Sequence, residues 1–365
     1  MVREGHGAEL YDSSTQLAAQ REFAADADIR RGPLPYIHPP FEALIFLPLT
    51  LLSYKAAFLV WNLINLGILL LDVHLLRNWL PGLQILTGWQ LLLIALAFFP
   101  IFANFHQGQD AILLLTLVIL GMRSIDRGAL LTAGCWLGCG VFKYHLVLPL
   151  LLMLAVWKGR RLAIGFLATA AAAGLASVAM VGWKGMVEYP AYAWHVISMP
   201  GFGRIPYRQL PNLMGLLGGW PLTENGGWLV QLAVFVCSAG LIAFVLRMGK
   251  LSENGGDFAL IAASSIIAAL LVGYSTNTYD LALLVVPLAL IADDFLRRSD
   301  EKPAIDLILP AVPLLCSPLW FYLWLRWGRI NLIAVLLLWW VGAMRAHMVR
   351  QRLLGVAEME SRTVS

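Results

Sequence analysis

The sequence predicts an all-α, polytopic membrane protein, and three observations carry that expectation. First, 59% of the residues are hydrophobic and 13% charged, with a mean hydropathy of +0.74; a soluble chain carries about 25% charged residues. So few polar side chains cannot dress a water-facing domain of this length. Second, the chain repeatedly runs apolar for roughly 20 residues, the length at which a helix crosses about 30 Å of hydrocarbon. Third, its Lys and Arg residues gather in short clusters between those runs, the distribution that membrane topology imposes. A net charge of +4 spread in this way forms no basic stripe, so no nucleic-acid partner is expected.

The elements follow in order. Residues 54–76 form the first clear span and end at Arg77, and residues 86–103 form the second. His106-Gln107-Gly108-Gln109-Asp110 interrupts the apolar run before a short third span to Met122. Residues 128–157 are almost continuously apolar, broken by Lys143, Tyr144 and His145. A span at 162–182 precedes a long connection, 183–225. Spans at 226–246, 257–273, 281–292, 304–323 and 331–346 complete a set of about eleven membrane segments. The apolar run that follows Pro39-Pro40 and ends at Leu52, about twelve residues, is too short to cross and reads as an interfacial or re-entrant helix. The chain thus divides into an outer segment with that helix at 1–53, a transmembrane domain at 54–349, and a cytoplasmic tail at 350–365.

Parity orients these segments. The basic clusters at Arg77, Arg123/Arg127, Lys158/Arg160/Arg161, Arg247/Lys250, Arg297/Arg298/Lys302 and Arg345/Arg350/Arg352 are assigned to the cytoplasmic side. An even number of crossings must separate successive clusters. Residues 128–157 therefore have to be two half-spans meeting near Lys143, which spares that cation an unsolvated midplane position costing about 2.5–3.5 kcal/mol. The placement expected is an inner, plasma-type membrane, with the C-terminus cytoplasmic and the N-terminal segment outside. An outer N-terminal segment carrying Arg3, Arg21, Arg30 and Arg31 leads to the expectation of a further span upstream of the given sequence.

Five polar groups fall on the outer side in this scheme. Tyr11-Asp12 and Tyr36–Glu42 offer the carboxylates Asp12 and Glu42, with a polar tail and helix start as the plain alternative. Gln107, Gln109 and Asp110 surround a glycine, and Asp110 can equally be a helix N-cap. Lys143 with His145 has the chemistry to hold a phosphate, since Lys binds phosphate as a point charge, or can snorkel to the interface. Arg204, Arg208 and Asn212 sit in the long connection. Tyr279-Asp280 closes a polar loop and starts the next helix. The four cysteines all lie in apolar stretches. Cys135 and Cys139 share a helix face, but no His or further Cys completes a metal set, so no metal site is expected.

In sequence order these elements resemble glycosyltransferase family 87 of the integral-membrane C superfamily. The residues that carry the likeness are Tyr11-Asp12, Tyr36–Phe41 with Pro48, Trp61-Asn62, Gly108-Gln109, the Gly-rich run from Gly134 to Lys143, Asn212-Leu213-Met214-Gly215, and Tyr279-Asp280-Leu281 with Pro287. Each element is short, and their order over residues 10–295 is the specific part. The resemblance implies a C-type glycosyltransferase architecture and an extracytoplasmic active site. It also implies a sugar donor on polyprenyl phosphate, with mannose as the expected sugar, and inverting transfer to an envelope lipid or glycan. Members of the family carry an Asp at the outer end of the first span as candidate base, and the given sequence starts beyond it. Asp12 and Glu42 are the expected stand-ins. Lys143, His145, Arg204 and Arg208 are expected at the donor phosphate, and Gln107, Gln109, Asp110, Asn212, Tyr279 and Asp280 around the sugar and acceptor.

The partners expected are membrane lipids, the lipid-linked sugar donor and a glycan or glycolipid acceptor, with no cofactor beyond that donor. A transporter or lipid flippase, and a non-catalytic subunit of an envelope-assembly complex, are the rival readings. The first would call for an internal repeat and charges near the midplane; the sequence has no visible repeat, and its polar groups lie to one side.

Overall fold

The computed structural model describes residues 1–24, 35–198, 205–219, 227–251, 257–297 and 304–364, and those residues contain helices and turns but no strand. The helices that position the site are α1 (Ser13–Phe23), α2 (Tyr54–Trp79), α3 (Gly88–Ala97), α4 (Phe99–Gln107), α5 (Ala111–Asp126), α6 (Leu130–Cys139), α7 (Tyr144–Lys158), α8 (Arg160–Ser198), α9 (Leu213–Gly218), α10 (Gly227–Leu251), α11 (Phe258–Val272), α12 (Val285–Arg297) and α13 (Ile333–Val364).

By length and apolarity five helical stretches can cross a membrane, and up to seven if each of two bent pairs counts as one span. That is fewer than the eleven segments expected, because several apolar runs fold as pieces shorter than a bilayer. The 86–103 run breaks into α3 and α4, which meet at 72°. Phe98 leaves the helix there (ψ 118°), and Pro100, at the start of α4, lacks the N–H a continuous helix would use. The 304–323 run likewise breaks into Ile305–Leu315 and Ser317–Trp327, bent by 55°, with Pro318 opening the second piece.

Residues 130–158 are helical without a gap, yet they are no straight span. Trp157 stacks on Phe258 at 5.9 Å, Phe258 meets Trp79 at 6.3 Å, and the Trp79 indole donates to Asp126 at 2.9 Å. Lys158 therefore lies at the end where Leu130 begins. A straight helix of that length would hold the two roughly 40 Å apart at about 1.5 Å per residue. The chain reverses through the 3₁₀ turn Gly140–Lys143, so α6 and α7 are two antiparallel half-spans with Lys143 at their joint.

Glycines make this compact arrangement possible. A Cβ on Gly134 would strike the carbonyl of Leu162, one on Gly165 the carbonyl of Leu131, and one on Gly138 the hydroxyl of Thr169. Helices α6 and α8 thus run parallel, backbone against backbone, along small residues spaced by four on each helix, the packing that apolar solvent favours. Thr169 tightens the seam by donating to the Cys135 carbonyl at 3.2 Å.

Helix α8 has 39 residues, about 58 Å at 1.5 Å each, nearly twice the hydrocarbon thickness. It bends at Gly182, whose φ of 72° only glycine adopts readily. The 183–225 segment read as connection is therefore helical as far as Ser198. This overhang carries the N-terminal segment. Tyr11 packs on Tyr189 and Tyr192 at 5.0 and 5.1 Å, and Gln16 donates to the Tyr192 hydroxyl at 3.0 Å.

Two ends of the bundle can now be told apart. Helices α2 and α5 run parallel, since Trp61 and Asn65 of α2 donate to the Gln109 carbonyl just before α5, and Trp79 reaches Asp126 at its close. Helices α7 and α11 run antiparallel, Leu146 lying against Gly273 and Trp157 against Phe258. One end holds Gln109, Lys143, Gly273 and the overhang of α8. The other holds Trp79, Asp126, Trp157 and Asp293.

Candidate active site

The first of these ends gathers the buried charge. Lys143 sits at the joint of the α6–α7 hairpin, 2% exposed. Its Nζ lies 2.8 Å from Asp110 Oδ1 and 3.1 Å from Asp280 Oδ1, and 5.0 Å from the centre of the Tyr279 ring. Three separate chain reversals therefore meet on one ammonium group.

Local sequence explains each arm. Gly108 ends α4 in a left-handed conformation (φ 60°), and Asn104 then accepts the Ala111 N–H at 3.0 Å through its Oδ1. That pair of contacts folds the chain sharply and aims Asp110 inward. Asp280 accepts the backbone N–H of Asn277 at 2.8 Å with the oxygen that does not face Lys143. Such a turn orients the carboxylate so that its other oxygen faces Lys143.

Next to this centre stands a second pair. Glu42 closes the short turn opened by Pro39 and Pro40, and its Oε2 lies 2.7 Å from His38 Nδ1. Glu42 is 2% exposed, whereas the His38 side chain is 29% exposed. The backbone of this turn is clamped from both sides. Tyr11 donates to the His38 carbonyl at 2.9 Å, Tyr189 to the Ile37 carbonyl at 3.0 Å, and the Phe41 N–H reaches Ser177 at 3.1 Å. The overhang of α8 thereby holds the Glu42 turn against the mouth of the bundle. His38, Glu42 and Asp110 each offer one ligand-type atom, all within 4.8 Å of one another.

The electrostatics follow from burial and, foremost among the charges, from Lys143. Burial raises the Glu42 carboxyl well above the ordinary carboxylate range, and the neighbouring Asp110 charge pushes it further. Burial also raises Asp110, but the adjacent Lys143 overrides it and holds that carboxyl at about 2. For His38, burial and then the Lys143 charge lower the imidazole to about 4, so the ring is neutral near pH 7. Asp280 shares the same lysine, but its burial keeps it above the ordinary range. Asp110 is thus the more firmly ionised of Lys143's two partners.

Aromatic rings wall this region. Tyr36 lies 5.7 Å from His38 and 6.3 Å from Tyr11. Tyr144 and Tyr274 share a hydrogen bond at 2.6 Å, with His145 packed 5.3 Å from Tyr274.

The remaining residues singled out in the sequence are distributed as follows. Asp12 is the exposed N-cap of α1, where Oδ1 accepts the Thr15 N–H at 2.8 Å and the Ser14 and Thr15 hydroxyls at 2.6 Å each. Those hydrogen bonds, the Ser14 hydroxyl foremost, hold its carboxyl at about 2. Asn212 is fully buried, caps α9 through the Gly215 N–H at 2.8 Å and donates to the Gly273 carbonyl. Gln107 is exposed, Gln109 half-buried and Arg208 exposed. Tyr279 flanks Lys143, and His145 is half-buried. Arg204 lies outside the described residues. Sequence reading passed over His38, Tyr189 and Ser177 as site residues. His38 stood in plain view four residues before Glu42; Ser177 was hidden in an apparently featureless span and Tyr189 in the stretch read as a connection.

The opposite end holds a cavity of about 500 Å³ lined by Trp79, Asp126, Phe258, Asp293 and Arg297 among others. Its acids are already engaged: Asp126 with the Trp79 indole, and Asp293 with the Gly82 N–H at 2.6 Å and with Arg297 at 2.8 Å. It lies away from the Lys143 cluster, and we place the site at the cluster.

Among protein families, the model of glycosyltransferase family 87 matches residues 36–274, about two thirds of the chain. That range contains Glu42, Asp110 and Lys143. No curated protein and no solved structure matches the chain.

Proposed function

The chain belongs to glycosyltransferase family 87, and from that membership we propose that it moves a sugar, mannose by the family resemblance, from polyprenyl phosphate to a hydroxyl of an envelope lipid or glycan on the extracytoplasmic side. The observation that carries this reading is the Glu42 carboxylate, buried between His38 and the Asp110–Lys143–Asp280 centre at a tyrosine-walled end of a membrane bundle. The same end is the outer one when the basic clusters are assigned to the cytoplasm. Both the N-terminal segment and the overhang of α8 then lie outside, and the C-terminal tail inside.

Glu42 is the general base. The acceptor oxygen forms a bond to the sugar's anomeric carbon while its proton passes to Glu42. The bond from that carbon to the phosphate oxygen breaks, and its electron pair leaves with the polyprenyl phosphate. One displacement inverts the anomeric centre. His38 Nδ1 orients Glu42, and a positioned carboxylate of this kind contributes roughly 10²–10⁴-fold. Lys143 fixes the site from beneath: with two carboxylates on its ammonium group, it sets the positions of Asp110 and Asp280. We assign Tyr279, Gln107 and Gln109 to the sugar and acceptor hydroxyls, and Tyr36, Tyr144 and Tyr274 to the faces of a pyranose ring. His145 and Arg208 remain the side chains we assign to the phosphate's surroundings.

The test is transfer of labelled mannose from polyprenyl-phosphate mannose in reconstituted membranes. Glu42→Gln is expected to lower the rate at least 100-fold while leaving the protein folded. A folded wild-type chain that transfers no label from this donor to any envelope lipid fraction would overturn the donor assignment. A fully active Glu42→Gln protein would overturn the base.

A further inference from the structure

Three buried carboxylates cluster here, and Lys143 bonds two of them, Asp110 and Asp280. Glu42, Asp110 and Asp280 are 2, 3 and 1% exposed, and the Lys143 charge acts on each of them. Buried charge of one sign is expensive unless something balances it. The imbalance is sharpest between Glu42 and Asp110. Asp110 gives Oδ1 to Lys143, while its Oδ2 is buried with no hydrogen-bond donor among the described residues. The neighbour it meets is the Glu42 carboxylate. Beside them His38 points Nδ1 at Glu42 Oε2 from 2.7 Å.

We propose that His38 Nδ1, Glu42 and Asp110 Oδ2 form a binding site for one divalent metal ion of the manganese–magnesium class. Their ligand atoms already lie within 4.8 Å of one another. Around an ion with bonds of about 2.1 Å, adjacent ligands stand roughly 3 Å apart, so modest side-chain rotations complete the set. Two carboxylate oxygens and one imidazole suit Mn²⁺, with Mg²⁺ as the weaker occupant. The backbone is prepared for it. Pro39 and Pro40 stiffen the turn between His38 and Glu42, and Tyr11 and Tyr189 clamp its carbonyls. Asp110 is fixed by Lys143, which occupies only one of its oxygens.

Three protein ligands leave positions open, and an ion there would carry the positive charge that Lys143 cannot lend outward while it serves two carboxylates. A phosphate oxygen of the donor takes one open position and leaves with its charge balanced. Glu42 binds the ion through one oxygen and keeps the other for the acceptor proton. This role, though not the site itself, rests on reading the chain as the user of a phosphate-linked donor.

The experiment uses the full chain in nanodiscs, stripped with chelator and titrated with Mn²⁺ alone. Loss of the free-ion electron paramagnetic resonance signal reports binding. One equivalent should bind, Mg²⁺ should compete, and the bound spectrum should carry nitrogen modulation from a single imidazole. His38→Gln should abolish that modulation and weaken binding at least tenfold, as should Glu42→Gln; Asp12→Asn should change neither. Because Asp110→Asn disturbs the Lys143 pair, it is not the deciding variant. Absence of saturable binding, or binding unchanged in both His38→Gln and Glu42→Gln, overturns the site and leaves a shared proton between Glu42 and Asp110. Full transfer activity after chelation would overturn the ion's role while leaving the glycosyltransferase reading intact. Site-specific Mn²⁺ binding without transfer from polyprenyl-phosphate mannose would keep the site and remove the donor assignment.

Discussion

Replacing Lys143 by Met tests whether this side chain is the keystone of the site or merely one contact in it. Met matches the aliphatic stem, so the perturbation is loss of charge rather than of volume. In the native structure the ammonium group is 2% exposed and bonded to Asp110 and Asp280 at 2.8 and 3.1 Å. Removing one partner of such a buried pair costs about 3–5 kcal/mol, because the other charge is left uncompensated. Here two carboxylates are left, so the upper part of that range applies. At about 2–4 °C per kcal/mol for a chain of 150–250 residues, and less for a longer one, the thermal midpoint in detergent should fall by roughly 10 °C. The decisive comparison is the triple variant Lys143→Met/Asp110→Asn/Asp280→Asn. Neutralising the whole centre removes the orphaned charges and should restore at least half of the lost midpoint. It should not restore transfer. The assay is fluorescence-detected melting of the single and triple variants beside the wild type. A single variant within about 1 °C of wild type, or a triple variant no better than the single, would refute the reasoning.

Three further outcomes follow from the same structure. Gly134→Ala places a Cβ against the Leu162 carbonyl and should cost about 1–3 kcal/mol by parting α6 from α8; Gly174→Ala, with open space around it, should be neutral in the same melting assay. Asn212→Ala removes the α9 cap and the donor to the Gly273 carbonyl, for a loss of about 2–3 kcal/mol; a melting point unchanged by this substitution would contradict the structural role, as would one selectively lowering sugar affinity. Asp12→Asn should leave transfer within about twofold of wild type, since Asn is as good a cap as Asp. The Asp12 carboxyl, depressed to about 2 from an unfolded value near 3.9, stabilises above the latter and loses that contribution as pH falls through the former. The Asn variant should lose that part of the acid dependence.

The sequence carried the membrane class and the α6–α7 reversal for the same reason. Apolar content and charge position are local properties, and a lysine in a thirty-residue apolar run leaves few arrangements that keep it off the midplane. Asp110, Lys143 and Asp280 were likewise visible as interruptions of apolar helices. What sequence alone did not reveal was that they meet. Lys143 was expected at a phosphate because its partners lie 33 and 137 positions away, and pairing at such separations leaves no periodic trace. Asp12 shows the opposite failure. A Tyr-Asp pair reads as chemistry, yet Ser14 and Thr15 directly after it spell a helix cap. The run 183–198 was taken as loop because Trp, Tyr and Pro190 interrupt its hydropathy. It is helical, and its Tyr189 and Tyr192 pack on the N-terminal segment while Trp183 and Trp194 stay exposed.

The placement of the Glu42 turn gives the architecture its logic. Glu42 belongs to a short, Pro-stiffened segment that precedes the first long helix, α2, and nothing in its own helix-turn holds it over Asp110. Its position comes from α8, which outruns the bilayer thickness and bends at Gly182 so that Tyr189 and Tyr192 reach Tyr11 while Tyr189 also clamps the Ile37 carbonyl. The rigid half of the site, Asp110–Lys143–Asp280, is set by three chain reversals within the bundle. The other half, His38–Glu42, is carried by a strap resting on the helical overhang of α8. A substrate whose lipid tail lies in the bilayer and whose sugar projects beyond it would meet both halves at their junction. A site so divided can admit substrate by shifting the strap against α8 while the charged centre stays fixed. Substitutions at Tyr189 should therefore alter substrate affinity without touching a single group of the charged centre.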